Sequence, residues 1–159
     1  IINNETYSGL YDKVAYLTQE PYFLFDTISE NISKYNKNRN ITLDEINETL
    51  AQVKLQNFSL GSEKSKNNFI GENGSNLSGG EKQRLAIVGA ICKKADIMIF
   101  DEITNKLDET NEKLIMDTLY EINKDKTMII VSHNKNNLSK CDYILEIQNK
   151  SAIRILNKK

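Results

Sequence analysis

Two short apolar runs, each ending in side chains that carry chemistry, constrain the fold of this 159-residue chain more than any other feature. Residues 97–100 are apolar and lead into Asp101 and Glu102, while residues 128–131 are apolar and lead to His133, the only histidine. Unbroken apolar runs of this length are typical of buried parallel strands. Helical patterns of apolar residues alternate with the two runs. The second half of the chain therefore predicts an α/β fold with a parallel sheet.

The first half of the chain predicts a further strand and several helices. Residues 13–18 alternate as in a strand, and Pro21 prevents its continuation, so Gln19 lies at the strand end or in a loop. Capping boxes at Thr42–Glu45 and Ser78–Glu81 predict two helix starts. The segment from about residue 27 to residue 76 should be mainly helical. We expect the helix after the first box to present one apolar face, made of Leu43, Ile46, Leu50 and Val53.

Composition excludes several classes of protein. Acidic and basic residues number 22 and 21, so net charge gives no reason to expect a nucleic acid or an anionic membrane surface as a partner. Cys92 and Cys141 lie far apart and suit a reducing compartment better than a disulfide scaffold. No apolar run is long enough to span a bilayer, so association with a membrane would require a partner. The chain begins without Met, and we expect it to be part of a longer protein.

The sequence Ser78-Gly79-Gly80 stands at the second predicted helix start. Two glycines cost helix stability, but they allow the backbone N–H groups at the positive helix end to approach an anion. Ser78 adds a hydroxyl donor. Two interpretations stay open at this point, an ordinary capped helix after a loop and an anion-binding helix end.

The polar residues after the two apolar runs form a second candidate site. In open α/β sheets, ligands bind beyond the carboxyl ends of the strands. Asp101 and Glu102 there offer the oxygen ligands that Mg²⁺ prefers, and His133 follows the neighbouring run. The simpler alternatives are a solvated acidic loop and a histidine that makes a structural hydrogen bond.

Several stretches together resemble the ATP-binding cassette (ABC) domain of membrane transporters. Residues 77–84, LSGGEKQR, resemble the family's signature sequence, and residues 97–102 and 128–133 resemble its Walker B strand and its switch-histidine strand. Residues 19–32, QEPYFLFDTISENI, resemble the Q-loop of the exporter class and the helix after it. The resemblance covers essentially the whole chain and implies part of a P-loop NTPase fold of the ABC-ATPase type, a parallel-sheet core with a helical subdomain.

The resemblance divides the chain into three parts. Residues 1–26 would hold a core strand and the Q-loop, and residues 27–94 the helical subdomain with the X-loop and the signature. Residues 95–159 would form the C-terminal part of the catalytic core with Walker B, the D-loop and the switch histidine. Residues 70–74, IGENG, resemble the X-loop, with Glu72 as the matching acid.

The resemblance also implies roles for individual residues around ATP and Mg²⁺. Asp101 would hold Mg²⁺ through water, Glu102 would be the general base for the attacking water, and His133 would contact the γ-phosphate. The amide of Gln19 would meet Mg²⁺ and the water. The signature would contact the γ-phosphate of an ATP held by the opposite subunit, through Ser78, Gly79 and Gly80. Asp108 of the D-loop would lie close to the same ATP.

The chain departs from the family's pattern in three places. Glu81 replaces the usual Gln of the signature, and Asn105-Lys106 replace the usual Ser-Ala of the D-loop. None of the seven glycines is followed by lysine, so the sequence contains no GxxxxGK[ST] phosphate-binding loop. We expect that loop upstream of residue 1, and we expect this chain alone to bind Mg·ATP weakly and not to turn it over.

The function implied is ATP binding and hydrolysis that powers export across a membrane. The partners would be a second nucleotide-binding domain and a transmembrane domain, contacted through the Q-loop and X-loop regions at the cytoplasmic face of the membrane, with no nucleic acid. Tyr22, Phe23, Leu24 and Phe25 would partly anchor the Q-loop and partly meet the transmembrane domain. Two alternatives stay open: an ABC-type ATPase of DNA repair or chromosome organisation, and a non-catalytic module that kept the fold.

The end of the chain predicts a hairpin, with strands over residues 143–148 and 152–156 around Asn149-Lys150. In the family, the strand before the phosphate-binding loop lies between the His133 strand and a strand near the C-terminus. Without it, backbone groups along two strands would lack partners. We therefore expect either that the hairpin pairs with the His133 strand or that two chains exchange strands.

Overall fold

A computed structural model describes residues 9, 11–34, 36, 40–58, 60–61, 68–148 and 152–157. Its elements follow in chain order: β1 (Val14–Leu17), β2 (Asp26–Thr27), α1 (Ile28–Lys34), α2 (Leu43–Gln52), β3 (Phe69–Ile70), α3 (Gly79–Lys93), β4 (Ile97–Asp101), α4 (Glu109–Ile122), β5 (Thr127–Val131), β6 (Tyr143–Gln148) and β7 (Ala152–Asn157). Short 3₁₀ turns lie at Gln56–Phe58, Glu72–Gly74 and Lys135–Leu138. Within this part of the chain, no helix combines the length and the apolar character needed to cross a bilayer.

Three parallel strands form the main sheet, in the order β1-β4-β5. Leu17 pairs in register with Phe100, and Asp101 pairs with Val131. The register brings the carboxyl ends of all three strands to one edge of the sheet. The predicted α/β fold with a parallel sheet is thus confirmed, and the predicted strands at residues 13–18, 97–101 and 127–131 all form.

The two faces of this sheet differ in burial. Met98 and Phe100 of the central strand are fully buried on the face that packs against the helical core. On the opposite face, Tyr16 is 57% exposed and Ile129 and Val131 are 49% and 48% exposed. The prediction that β5 is buried was therefore wrong, because β5 is the outer strand of the sheet and no described element covers its second face.

Helix α3 joins the sheet to the other helices. Its N-cap, Ser78, accepts from the Glu81 N–H, and the Glu81 carboxylate accepts in return from the Ser78 N–H, which confirms the predicted capping box. The helix packs against β1, α1 and α2. Its inward residues are buried as predicted, namely Leu85, Val88, Ile91 and Cys92. Burial of one such aliphatic side chain stabilises a fold by about 1.5–3 kcal/mol.

Among the described residues between β1 and α3, the helices α1 and α2 form as predicted, and a short antiparallel strand pair, β2–β3, is also present. The capping box of α2 forms between Thr42 and Glu45. Ile46, Leu50 and Val53 are fully buried, whereas Leu43 is 49% exposed and was wrongly placed on the buried face. The antiparallel pair β2–β3 was not predicted, because strands of two residues leave no alternation to read.

The C-terminal hairpin forms as predicted, with β6 antiparallel to β7 and Tyr143 opposite Asn157. Its connection at Asn149-Lys150 lies outside the described residues. Among the described strands, neither β6 nor β7 pairs with β5, so the prediction that the hairpin pairs with the His133 strand was wrong. The hydrogen bonds between β6 and β7 already satisfy one side of each strand without the main sheet. Strand exchange between two chains stays a prediction.

Candidate active site

The carboxyl edge of the main sheet gathers the predicted catalytic residues. Gln19 lies in the loop after β1, Asp101 ends β4, Glu102 follows it, and His133 lies two residues beyond β5. The parallel register places these three strand ends side by side. The structure therefore confirms that these residues share one edge, although Gln19 is exposed there and makes no hydrogen bond among the described residues.

The Glu102 carboxylate is held from two sides. His133 Nε2 lies 2.6 Å from Oε1, and Asn105 Nδ2 donates to Oε2 at 2.7 Å. The side chain of Glu102 is only 18% exposed, whereas that of His133 is 90% exposed. This arrangement gives the carboxylate a fixed direction while leaving its histidine partner open to solvent and to a ligand.

The backbone at Glu102 is strained. Its φ is +50°, in the left-handed region that non-glycine residues rarely occupy. Its N–H still donates to the Val131 carbonyl at 3.0 Å, so the turn begins directly at the sheet edge. Such strain costs about 1–2 kcal/mol for a residue with a Cβ atom. It turns the chain sharply after β4 and so directs the Glu102 side chain out of the strand.

Asp101 has one oxygen engaged and one available. The Tyr16 hydroxyl donates to Oδ2 at 3.2 Å, and this hydrogen bond, with burial and the negative charge of Asp101, raises the pKa of Tyr16. Oδ1 receives no hydrogen bond from any described residue. Mg²⁺ binds through one or two carboxylates and keeps several water ligands. The donor set at Asp101 therefore fits a Mg²⁺ ion whose other ligands are water and phosphate, and the described residues hold no cluster of three metal-binding side chains.

The signature residues form the N-terminus of α3 and face the turn after Glu102. A Cβ atom at Gly79 would lie 3.6 Å from the Lys106 side chain, and one at Gly80 would lie 3.4 Å from Leu107. Ser78 and Gly79 are exposed. This helix end is thus exposed at Ser78 and Gly79, and the segment after β4 lies against it.

Two side chains after β4 have partners that sequence reasoning did not identify. Lys106 Nζ lies 3.4 Å from Glu20 Oε1 and so links the turn to the loop that carries Gln19. Asp108 is exposed and caps α4, accepting from the Asn111 N–H at 3.0 Å. Hydrogen bonds from the Asn111 backbone and side chain hold the pKa of Asp108 below its usual range. A role for Asp108 at a nucleotide stays a prediction.

Asn31, a buried residue of α1, fixes the loop that carries Gln19. Its Oδ1 accepts from the Leu24 N–H at 2.8 Å, and its Nδ2 donates to the carbonyls of Leu24 at 3.1 Å and Thr27 at 3.0 Å. No local sequence pattern predicts this contact, since it spans seven residues. The loop is therefore held in one conformation.

The aromatic residues of the same loop are divided between core and surface. Phe23 is buried, whereas Tyr22 is 62% and Phe25 is 68% exposed. Phe25 meets Phe69 edge-on, with ring centroids 4.6 Å apart, although Phe69 is itself partly exposed. Phe25 and Phe69 thus form an exposed aromatic pair next to the IGENG segment, and Tyr22 and Leu24 are exposed in the same loop as Phe25.

Comparison with known proteins decides the family. Residues 2–105 match the profile of a family described as "ABC transporter". The chain belongs to the ABC transporter family. The parallel sheet with its packed helices is a partial P-loop NTPase fold of the ABC type.

Individual relatives of this ABC chain support the same assignment. It is 37% identical over 153 residues to a probable ABC transporter ATP-binding/permease protein of Haemophilus influenzae, and the match covers 93% of the chain and 27% of that protein. It is 36% identical over 141 residues to an ATP-dependent lipid A-core flippase of Pectobacterium atrosepticum, covering 89% and 24%. The ABC chain thus spans about a quarter of the length of these relatives.

A solved structure agrees with the fold of the ABC chain. A bacterial Atm1-family ABC exporter with ATP bound superposes with a TM-score of 0.80 at 28% identity, covering 91% of this chain and 25% of that chain. The predicted family is confirmed. The individual residue roles inferred for this ABC chain stay predictions, and the geometry at Glu102 is the observation that bears on them most directly.

Proposed function

We propose that this chain contributes the catalytic edge and the signature helix of an ATP-hydrolysing domain, in a protein that couples ATP hydrolysis to export across a membrane. One observation carries the proposal. At the carboxyl edge of the sheet, the Glu102 carboxylate is directed by His133 and Asn105, one residue after a carboxylate that suits Mg²⁺. The DNA-repair and non-catalytic alternatives gain no support from the relatives described above.

In the proposed mechanism, Glu102 accepts the proton of the water that attacks the γ-phosphate. The hydrogen bonds at its two oxygens orient the carboxylate and prevent its rotation. The exposed His133 imidazole, 2.6 Å from the carboxylate, would also contact a phosphate oxygen. Asp101 would hold Mg²⁺, which when bound neutralises developing charge on the phosphates.

The signature helix supplies the second part of the proposal. The exposed Ser78 hydroxyl and the N–H groups of Gly79 and Gly80 lie at a positive helix end, which favours an anion. Their role would be to contact the γ-phosphate of an ATP held by a second nucleotide-binding domain. The partner domain would complete the site, with Asp108 nearby.

The coupling surface is the third part of the proposal. The patch consists of the aromatic pair Phe25–Phe69 and the exposed Tyr22 ring of the same loop, and Glu72 of the adjacent IGENG segment is also exposed. Exposed apolar groups of this kind mark interaction sites. We assign this patch to contact with the transmembrane domain at the cytoplasmic face of the membrane. The division into residues 1–26, 27–94 and 95–159 belongs to the same proposal.

The replacement of Glu102 by Gln in the full-length protein tests the catalytic assignment. Glu102→Gln keeps the shape of the side chain and removes the base, so ATP turnover should fall by about 10²–10⁴-fold while ATP binding is retained. The matched control is Glu121→Gln on α4, where the carboxylate pairs, among the described residues, with the exposed Lys124 alone. Near-normal turnover by Glu102→Gln, with the control also active, would refute the role of Glu102.

A further inference from the structure

A buried polar cluster lies behind the loop that carries His133. Its centre is Glu112 of α4, whose carboxylate accepts from Thr104 Oγ1 at 2.7 Å, Asn137 Nδ2 at 2.8 Å and Asn134 Nδ2 at 2.9 Å. Asn137 Nδ2 also lies 3.1 Å from Ser132 Oγ. Thr104 and Asn137 are each only 4% exposed. The cluster connects three segments of the chain: the turn after β4, helix α4 and the loop after β5.

The chemistry of this cluster requires a carboxylate at its centre. An ionised carboxylate is purely an acceptor, and all three neighbours present donors to it. Although burial raises the pKa of Glu112, the hydrogen bonds from Thr104, Asn137 and Asn134 hold it below its usual range. An amide at this position would turn one donor toward another donor and leave buried groups unpaired.

The cluster holds the backbone on both sides of His133. Asn134, the next residue, binds Glu112 directly, and its N–H also donates to Ser132 Oγ at 3.1 Å. Ser132, the preceding residue, is tied to Glu112 through Asn137. The His133 side chain is itself 90% exposed, so burial does not orient the ring. Its direction toward Glu102 depends on the backbone between these two fixed neighbours.

We propose that Glu112 is a positioning residue for His133: it fixes Ser132 and Asn134 on either side of the histidine, and so holds the imidazole against the Glu102 carboxylate. This inference rests on the proposed function, because it assigns Glu112 a role in that same reaction. Glu112 acts through other residues and does not touch the reacting atoms. Its loss should slow the chemical step and leave ATP binding nearly unchanged.

The decisive experiment is a double-mutant cycle in the full-length protein. Glu112→Gln should lower kcat by about 10- to 100-fold with little change in the KM for ATP, since a small displacement of a catalytic group has effects of this size. In a His133→Ala background, the same substitution should lower kcat by less than about twofold, because the group that Glu112 positions is already absent. The control, Glu121→Gln, should have no effect in either background.

Hydrogen exchange in the nucleotide-free protein gives a readout independent of activity. Amides of residues 132–138 should exchange faster in Glu112→Gln than in the wild type or in Glu121→Gln, because the loop loses its tie to α4. If Glu112→Gln does not fold, Asn134→Ala removes the contact on one side of His133 and should give the same dependence on His133. An equal loss of kcat in both backgrounds, or unchanged kcat and exchange, would overturn the proposal.

The two proposals fail in different ways. If Glu102→Gln and His133→Ala both leave turnover intact, the proposed catalytic edge is wrong. If those variants lose turnover while Glu112→Gln keeps it, the catalytic edge stands and only the positioning role of Glu112 is wrong.

Discussion

At the sheet edge, hydrogen bonds from single neighbouring residues orient the carboxylates of Asp101 and Glu102. Asn105 replaces the residue usual in the family, yet its amide donates to the Glu102 carboxylate at 2.7 Å. The Tyr16 hydroxyl, from β1, donates to Asp101. These contacts engage the proposed general base and the proposed Mg²⁺ ligand, so a few neighbouring residues determine how the two carboxylates are oriented.

Gly79 offers a test of whether the signature glycines serve a ligand or only the fold. A methyl group there would meet only the flexible Lys106 side chain at 3.6 Å, so Gly79→Ala should leave the melting temperature unchanged or slightly raised. ATP turnover of the full-length protein should nevertheless fall at least about tenfold, because the methyl group hinders approach of the backbone to phosphate.

Gly89 provides the control for this test, since it lies in the same helix and an added Cβ atom would meet nothing within 4 Å. Gly89→Ala should raise stability without loss of turnover. Normal turnover in Gly79→Ala would show that Gly79 merely permits packing.

Among the elements, helix α3 was predictable and strand β5 was predictable only in part. The capping box at Ser78 and Glu81 is a local pattern, so four residues sufficed to place the helix start. The exposure of Ile129 depends instead on which elements cover the sheet, and no short stretch of sequence contains that information.

For the candidate site, the sequence predicts which residues lie together but not which hydrogen bonds hold them. The shared edge of Asp101, Glu102 and His133 follows from the alternation of strands and helices. The ties from Asn105 and Glu112 do not, because they depend on turn geometry and on packing between segments 22 to 25 residues apart.

The capping box of α3 predicts a pH-dependent helix. Hydrogen bonds with the side chain and the backbone of Ser78 lower the pKa of Glu81 in the folded helix. A carboxyl with a lowered pKa stabilises the helix fully above its ordinary pKa, about 4.3, and this contribution is lost as pH falls through the lowered value. At pH values above that window, the Glu81 carboxyl should cause no further change in the stability of the helix.

A peptide of residues 76–94 with blocked ends isolates this effect, since Glu81 is its only acidic residue. Its helicity, followed by circular dichroism, should fall on acidification, whereas the Glu81→Gln peptide should show no change over the same range. Unchanged helicity in both peptides would mean that the box does not form outside the folded chain.

For the molecule as a whole, the described sheet is covered on one face and open on the other. The exposed apolar side chains of Tyr16, Ile129 and Val131 lie on the open face, and among the described strands β5 is unpaired along one side. Exposed apolar surfaces and strand edges both favour association with another chain. The isolated chain should therefore self-associate through the open face of the sheet or the unpaired side of β5.

The replacement of Ile129 by Lys should reduce this association. Ile129 is 49% exposed, so the charge should cost little stability while it disfavours contact through the open face. Leu43 is equally exposed but lies on α2, so Leu43→Lys is the matched control and should leave association unchanged. Multi-angle light scattering over a range of concentrations measures the effect; equal behaviour of the two variants would argue against the open face as the contact.

The left-handed backbone at Glu102 has a consequence for evolution. Glycine or asparagine fits a φ of +50° better than glutamate, so the residue that would be most stable at this position differs from the proposed general base. Lineages selected for stability alone would drift toward glycine or asparagine at this position and lose turnover, whereas selection for activity maintains a locally unfavourable residue. Under the proposed role of Glu102 as the general base, the glutamate would be retained here for its chemistry at a cost in local stability.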